Sequence, residues 1–187
     1  MQCFEDIPDP DINVVTDEAD NCSEANQVTV EFVSDSQTNF SCGDYANGGT
    51  VVTRTYRVSD CAGNSITVEQ TITIDDVTNP TASNPDPVTV QCFEDIPAPD
   101  TNVVTDEADN CASPNELTVE HVSDSQTSFD CADFANGGTT VTRTYRITDC
   151  AGNFTEVEQT ITIRDEEAPS VGDLNPITVS CLSLIHI

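Results

Sequence analysis

A chain of 187 residues with 34 acidic and 5 basic side chains carries a formal net charge of −29. Such a surface repels nucleic-acid phosphates and anionic lipid, and no apolar run reaches the length needed to span a membrane. Full disorder, which this charge invites, is opposed by 36% apolar residues in short alternating runs and by nine cysteines in an ordered frame.

The frame is a repeat. Gln2-Cys3-Phe4-Glu5-Asp6-Ile7-Pro8 returns as Gln91-Cys92-Phe93-Glu94-Asp95-Ile96-Pro97, an ungapped offset of 89. Cys3, Cys22, Cys42 and Cys61 map to Cys92, Cys111, Cys131 and Cys150, and Cys92 maps in turn to Cys181. Proline-bearing linkers at Pro80 and Pro169 set the phase. Residues 1–78 then form a unit lacking its first strand, 79–167 a complete unit, and 168–181 the first strand of a third. Residues 182–187, Leu-Ser-Leu-Ile-His-Ile, leave the pattern and match one reading frame of a transposon-end sequencing adapter. They are read as a sequencing-adapter scar and set aside. Met1 stands where the second unit has Val90, so the biological start, with any export signal, is expected elsewhere.

In chain order, alternation predicts strands at Val28–Phe32, Val88–Val90, Leu117–His121, Thr140–Ile147 and Glu156–Ile163. Thr140–Ile147 places Val141, Arg143, Tyr145 and Ile147 on one face. Asp149-Cys150-Ala151-Gly152-Asn153 predicts a hairpin, and Asn136-Gly137-Gly138 a turn. No window combines helical period with a cap. The reading is all-β: tandem immunoglobulin-like β-sandwich repeats of 89 residues, each with about seven short strands. Without tryptophan, Tyr56 and Tyr145 are the candidates for the central aromatic. Arg54 and Arg143 share the inward face and must find a carboxylate or stack on the tyrosines, a structural role.

Four cysteines per unit imply an oxidising compartment and allow three connectivities. Sandwich topology puts Cys111 and Cys150 at one end and Cys92 and Cys131 at the other. The expected bridges are therefore Cys92–Cys131 and Cys111–Cys150, with Cys3–Cys42 and Cys22–Cys61 in the first unit. Zinc is disfavoured, since no cysteine pair has ligand spacing and no histidine recurs with them.

The two units also serve as an internal control on chemistry. His121 corresponds to Phe32, and His186 lies in the excluded tail, so no shared histidine supports a nucleophile. Gly48-Gly49 lacks the lysine of a phosphate loop. Two glycosylation-type triplets, at Asn39 and Asn153, are not shared between units and are read as chance. No enzyme is expected. Calcium is the metal hypothesis with most content. Asp17, Glu18, Asp20, Asn21 and Asp60 gather around Cys22 and Cys61. Asp106, Glu107, Asp109, Asn110 and Asp149 gather around Cys111 and Cys150. Hard oxygens in that number suit calcium, but no twelve-residue calcium loop is present. The favoured competing reading makes them turn residues bonding their own backbone.

Asp-Asn-Cys at 20–22 and 109–111, Thr-Arg-Thr-Tyr-Arg at 53–57 and 142–146, and Asp-Cys-Ala-Gly-Asn at 60–64 and 149–153 resemble the hyalin-repeat-like (HYR-like) immunoglobulin-fold domains. The resemblance covers residues 1–181 and implies arrays of the kind found in Bacteroidetes-type bacterial surface proteins. One departure is Cys-Ala-Gly-Asn where many relatives have Ala-Cys-Gly-Asn. The resemblance implies an extracellular or cell-surface stalk or cell-adhesion segment without catalysis. Its expected partners are neighbouring repeats in the same chain and a surface protein or glycan. The competing readings are a carbohydrate-binding or accessory module of a secreted enzyme, and a calcium-stiffened interdomain linker. The scarcity of aromatics, 5%, opposes sugar binding.

Overall fold

The structure, a computed structural model, describes residues 1–24, 27–46, 48–134 and 137–178. Asn136 of the expected turn, Cys181 and the tail 182–187 lie outside the described residues.

Strands β1 (Thr29–Asp35), β2 (Thr50–Ser59) and β3 (Ser65–Ile74) form one antiparallel sheet in the order β1-β2-β3. Strands β4 (Val88–Val90), β5 (Thr118–Asp124), β6 (Thr139–Thr148) and β7 (Phe154–Ile163) form a second, in the order β4-β7-β6-β5. The two sheets superimpose in sequence: β1, β2 and β3 shifted by 89 give β5, β6 and β7, residue for residue. Even the irregularity repeats, with a register shift at Phe32/Ser34 and again at His121/Ser123. The fold is all-β, of the immunoglobulin-like sandwich class.

Alternation decides what is buried. Along β6, Val141, Arg143, Tyr145 and Ile147 all point inward and are buried, as the period of two requires. Tyr56 and Tyr145 are the largest fully buried side chains and occupy the centres anticipated for them. The Asp149 hairpin forms as expected: its carboxylate accepts from the Gly152 and Asn153 amides, and Gly152 supplies φ 96°.

The complete copy has four regular strands where about seven were anticipated. Its opposite layer is extended chain punctuated by 3-10 turns at Phe93–Asp95, Thr101–Val103 and Pro114–Glu116. Pro97 and Pro99 lack the N–H that a ladder needs, so this stretch cannot pair as a strand. It still supplies the other half of the core, since Val104, Ala112 and Leu117 pack on Tyr145, Ile147 and Val157.

Strand β4 runs parallel to β7, the last strand of its own copy. In the first copy Met1 takes that place: the Asp75 amide donates to Met1 O at 2.9 Å, as the Arg164 amide does to Val90 O at 2.9 Å. Residues 168–178 form no strand and are exposed.

Gly138 shows how tightly the sheet end is closed. It sits at φ 111°, and a Cβ there would lie 2.3 Å from the Ile163 carbonyl oxygen. Gly138→Ala is expected to cost about 2–3 kcal/mol of strain, measurable as a lower urea midpoint. Gly137→Ala shares the positive φ but meets no atom within 4 Å, so it should cost less.

Candidate functional site: the junction between the copies

Only residues 75–80 separate the end of β3 from Thr81, which bridges to Ala108 of the second copy. This short link sets the copies end to end. An apolar contact forms at once: Tyr45, Val52, Ile72 and Ile74 are buried, and Phe4, Ile7, Phe40, Cys111, Cys150 and Ala151 pack against them. The Phe4 and Phe40 rings stack at 5.2 Å, and the Tyr45 hydroxyl accepts from the Phe4 amide at 3.0 Å.

The same contact places sulfur against sulfur. Cys3 bonds Cys111, and Cys42 bonds Cys150, each across 108 residues and with Cα separations of 5.1 and 5.0 Å. This corrects the expected pairing. Cys3–Cys42, Cys111–Cys150, Cys22–Cys61 and Cys92–Cys131 do not form, and Cys22, Cys61, Cys92 and Cys131 are unpaired thiols. The ends themselves were read correctly, since Cys111 and Cys150 share one end of their copy. The reason for the change is stacking: the end that carries the first and third cysteines of one copy abuts the end that carries the second and fourth of the next.

A polar seam closes beside the bridges. Asn153 Nδ2 donates to the Asp76 carbonyl at 3.1 Å, and Asn110 Nδ2 to the Asp76 carboxylate at 3.4 Å. Asp76 and Asp149 are buried, 5% and 7% exposed. Burial first, then the nearby Asp109 and Asp149 charges, raise the Asp76 pKa; the hydrogen bonds from Thr78 and Asn110 oppose this. A raised carboxylate pKa means that the folded state holds the proton more tightly. Its effect on stability therefore worsens as pH climbs from the unfolded value through the folded one, and stays unfavourable above. Asp76→Asn keeps an acceptor for Thr78 and removes the charge. It is expected to raise the melting temperature at pH 7 and to leave it unchanged well below pH 4, as a pH series of melts would show.

The anticipated calcium ligands divide. Asp20 accepts from the Cys22 and Ser23 amides, Asp60 from Ala62 and Asn64, Asp109 from Cys111 and Ala112, and Asp106 from Ser83. These bonds hold the Asp20, Asp60 and Asp106 carboxyls below the usual range. Asp109, Asn110 and Asp149 do come together at the seam, joined by Asp76, whereas Asp17 and Glu18 lie in the first copy, away from it. Oxygens of Asp76 and Asp109 lie within 4.8 Å of each other and of the Cys111 sulfur, but that sulfur is already bonded to Cys3.

Arg54 and Arg143 are 3% and 2% exposed. Arg143 forks onto Asp124 with two bonds of 2.8 Å and donates a third to Pro97 O at 2.8 Å. Arg54 does the same to Asp35 and Pro8 O. These contacts tie the regular sheet to the irregular layer. A cleft lined by Asn84, Asp86, Val103, Asp106 and Gln159 has a volume near 490 Å³. It presents the carboxylates of Asp86 and Asp106 beside Ser83 and Thr105, with no histidine among its lining residues.

A disulfide-bearing β-sandwich with four cysteines per copy is thus the class that fold and junction define. Residues 80–163 match the family model of the HYR-like domain with 4 cysteines, and this part of the chain is a HYR-like domain. The family is one of non-catalytic modules of the extracellular adhesion type. No curated protein matches the chain. No helix among the described residues is long and apolar enough to cross a membrane.

Proposed function

We propose that this chain is a stretch of stiffened rod in a secreted or surface-attached protein, serving as stalk or as adhesion segment. The observation that carries the reading is the doubly bridged junction. Two disulfides side by side remove the hinge that a single tether would leave, and a buried apolar contact fills the space between them. Disulfides persist outside the reducing cytosol, in keeping with an extracellular place. The high negative charge keeps such a rod soluble and separate from its neighbours. Amide ¹⁵N relaxation tests it. With the bridges intact, both copies should tumble with one correlation time. Two distinct correlation times in the oxidised protein would refute a rigid junction.

A carbohydrate-binding role is less well supported, because aromatics are scarce and the stacked Phe4–Phe40 pair belongs to the junction core, which leaves the equivalent Phe93–Phe129 stack, with Phe93 exposed, at the far end of the second copy. A second reading, calcium at the junction, draws on one atom: Asp109 Oδ1 is buried without a hydrogen-bond partner, next to Asp76. A calcium titration followed by thermal melting tests it, and an unmoved midpoint removes it.

A further inference from the structure

The junction uses half of the cysteines in each copy and leaves the other half in matching places. The first copy contributes its first and third cysteines, Cys3 and Cys42; the second contributes its second and fourth, Cys111 and Cys150. Under the 89-residue offset, Cys92 and Cys131 are the equivalents of Cys3 and Cys42, and Cys22 and Cys61 are those of Cys111 and Cys150. All four are exposed thiols.

Their surroundings repeat as well. At the far end of the second copy, Val141, Ile161 and Ile163 are buried, with Ile96, Phe129 and Phe134 against them. These are the equivalents of Val52, Ile72, Ile74, Ile7, Phe40 and Tyr45 at the junction. Phe93 and Phe129 stack at 5.8 Å as Phe4 and Phe40 do at 5.2 Å. What differs is the cover. Cys3 is 7% exposed beneath its neighbour, whereas Cys92 is exposed and Phe93 is 44% exposed.

We infer that each end of this chain is a docking face for a further copy of the same module. Cys92 joins the second cysteine of the copy that follows, and Cys131 its fourth; Cys22 and Cys61 join the first and third cysteines of the copy that precedes. The occupant is a copy of this module because the one formed junction shows such a copy seated on an equivalent face. The contact is head to tail, so each copy added presents the same face again and the contact propagates from copy to copy. Each new bridge consumes two thiols and one disulfide of an oxidant, such as oxidised glutathione. A cysteine thiolate attacks the oxidant and releases one of its thiols. The partner cysteine then displaces the second, giving the protein disulfide and two reduced oxidant thiols.

The inference rests on the rod reading, and the test separates the two. Two variants of the whole chain are made on a Cys181→Ser background: Cys22→Ser/Cys61→Ser and Cys92→Ser/Cys131→Ser. None of these four replaced cysteines is bonded in the structure, so both variants should keep their fold. After reduction and reoxidation with the glutathione couple, each variant alone should run as a monomer on a non-reducing gel. Mixed, they should shift to twice the monomer mass. Unreduced peptide mapping should then find Cys92 of one chain bonded to Cys22 of the other, and Cys131 to Cys61. Monomers in the mixture, or Cys92–Cys131 and Cys22–Cys61 bridges in the unsubstituted chain, would overturn the inference. If Cys3–Cys111 and Cys42–Cys150 are still mapped in that case, the rigid junction survives without the array. If Cys3–Cys42 is mapped instead, both fall.

Discussion

Replacing Cys3 and Cys42 by serine is expected to lower the melting temperature and to split one unfolding transition into two. Chain entropy sets the scale. Cys3–Cys111 closes a loop across 108 residues, and a loop of that length is worth about 4–5 kcal/mol. With that bridge in place, Cys42–Cys150 closes a second loop made of the stretches 3–42 and 111–150, still long enough for about 4 kcal/mol. For a chain of this size, each bridge then corresponds to a drop on the order of 10 °C. The loss of cooperativity follows from the topology of the contacts. Among strand pairings, β1-β2-β3 and β4-β7-β6-β5 share none, so coupling between the copies passes through the junction. Cys111→Ser/Cys150→Ser should reproduce the effect, since it cuts the same bonds from the other side. Cys22→Ser/Cys61→Ser should leave the melt of the monomer unchanged, because it cuts none. Scanning calorimetry of the three double variants checks this, and equal melts for all three would contradict the bridged junction.

That comparison also marks where sequence reasoning runs out. The inward face of β6 was legible because burial on a pleated strand has a period of two, and Val141, Arg143, Tyr145 and Ile147 obey it. The sorting of cysteines to opposite ends was legible from the strand order. Pairing was not, because it is a property of two adjoining copies and not of one repeat. In an array, the opposite end of the neighbour is as near as the same end of the unit. One signal was available: the linker 75–80 is too short to hold two copies apart, so their ends had to meet. The irregular layer was missed for a different reason. Residues 91–117 carry apolar side chains in sufficient number for strands, but Pro97 and Pro99 withhold N–H donors, and the stretch buries Val104 and Leu117 without joining a ladder. The acidic residues near the cysteines divide: backbone amides hold one carboxylate oxygen each of Asp20, Asp60, Asp106, Asp109 and Asp149, while Asp109 Oδ1 stays without a partner.

Removing one partner of the buried Arg143–Asp124 pair is expected to destabilise the second copy by about 3–5 kcal/mol, because it leaves the other charge uncompensated in the core. Arg143 is 2% exposed and spends its guanidinium on both oxygens of Asp124 and on Pro97 O. The Pro97 carbonyl lies in the layer that has no ladder, so the arginine supplies a donor that a strand neighbour would otherwise give. Asp124→Asn should carry most of the cost while preserving shape, and Arg143→Met should carry a similar one. The double variant Arg143→Met/Asp124→Leu should recover much of the loss, since an apolar pair of similar volume can replace a buried ion pair. The pH dependence has a definite sign. The hydrogen bonds from Arg143, and then His121, hold the Asp124 carboxyl below its usual range against the opposing effect of burial. Its stabilising contribution is therefore complete above the unfolded carboxylate pKa and is lost as pH falls through the folded one. Urea midpoints of the parent should fall on acidification through that window, and those of the double variant should fall less. A loss under about 1 kcal/mol in both single variants would place this pair with surface ion pairs and would leave the attachment of the irregular layer to the apolar contacts of Val104, Ala112 and Leu117 and to the hydrogen bond that the Asp100 amide donates to the Tyr145 hydroxyl.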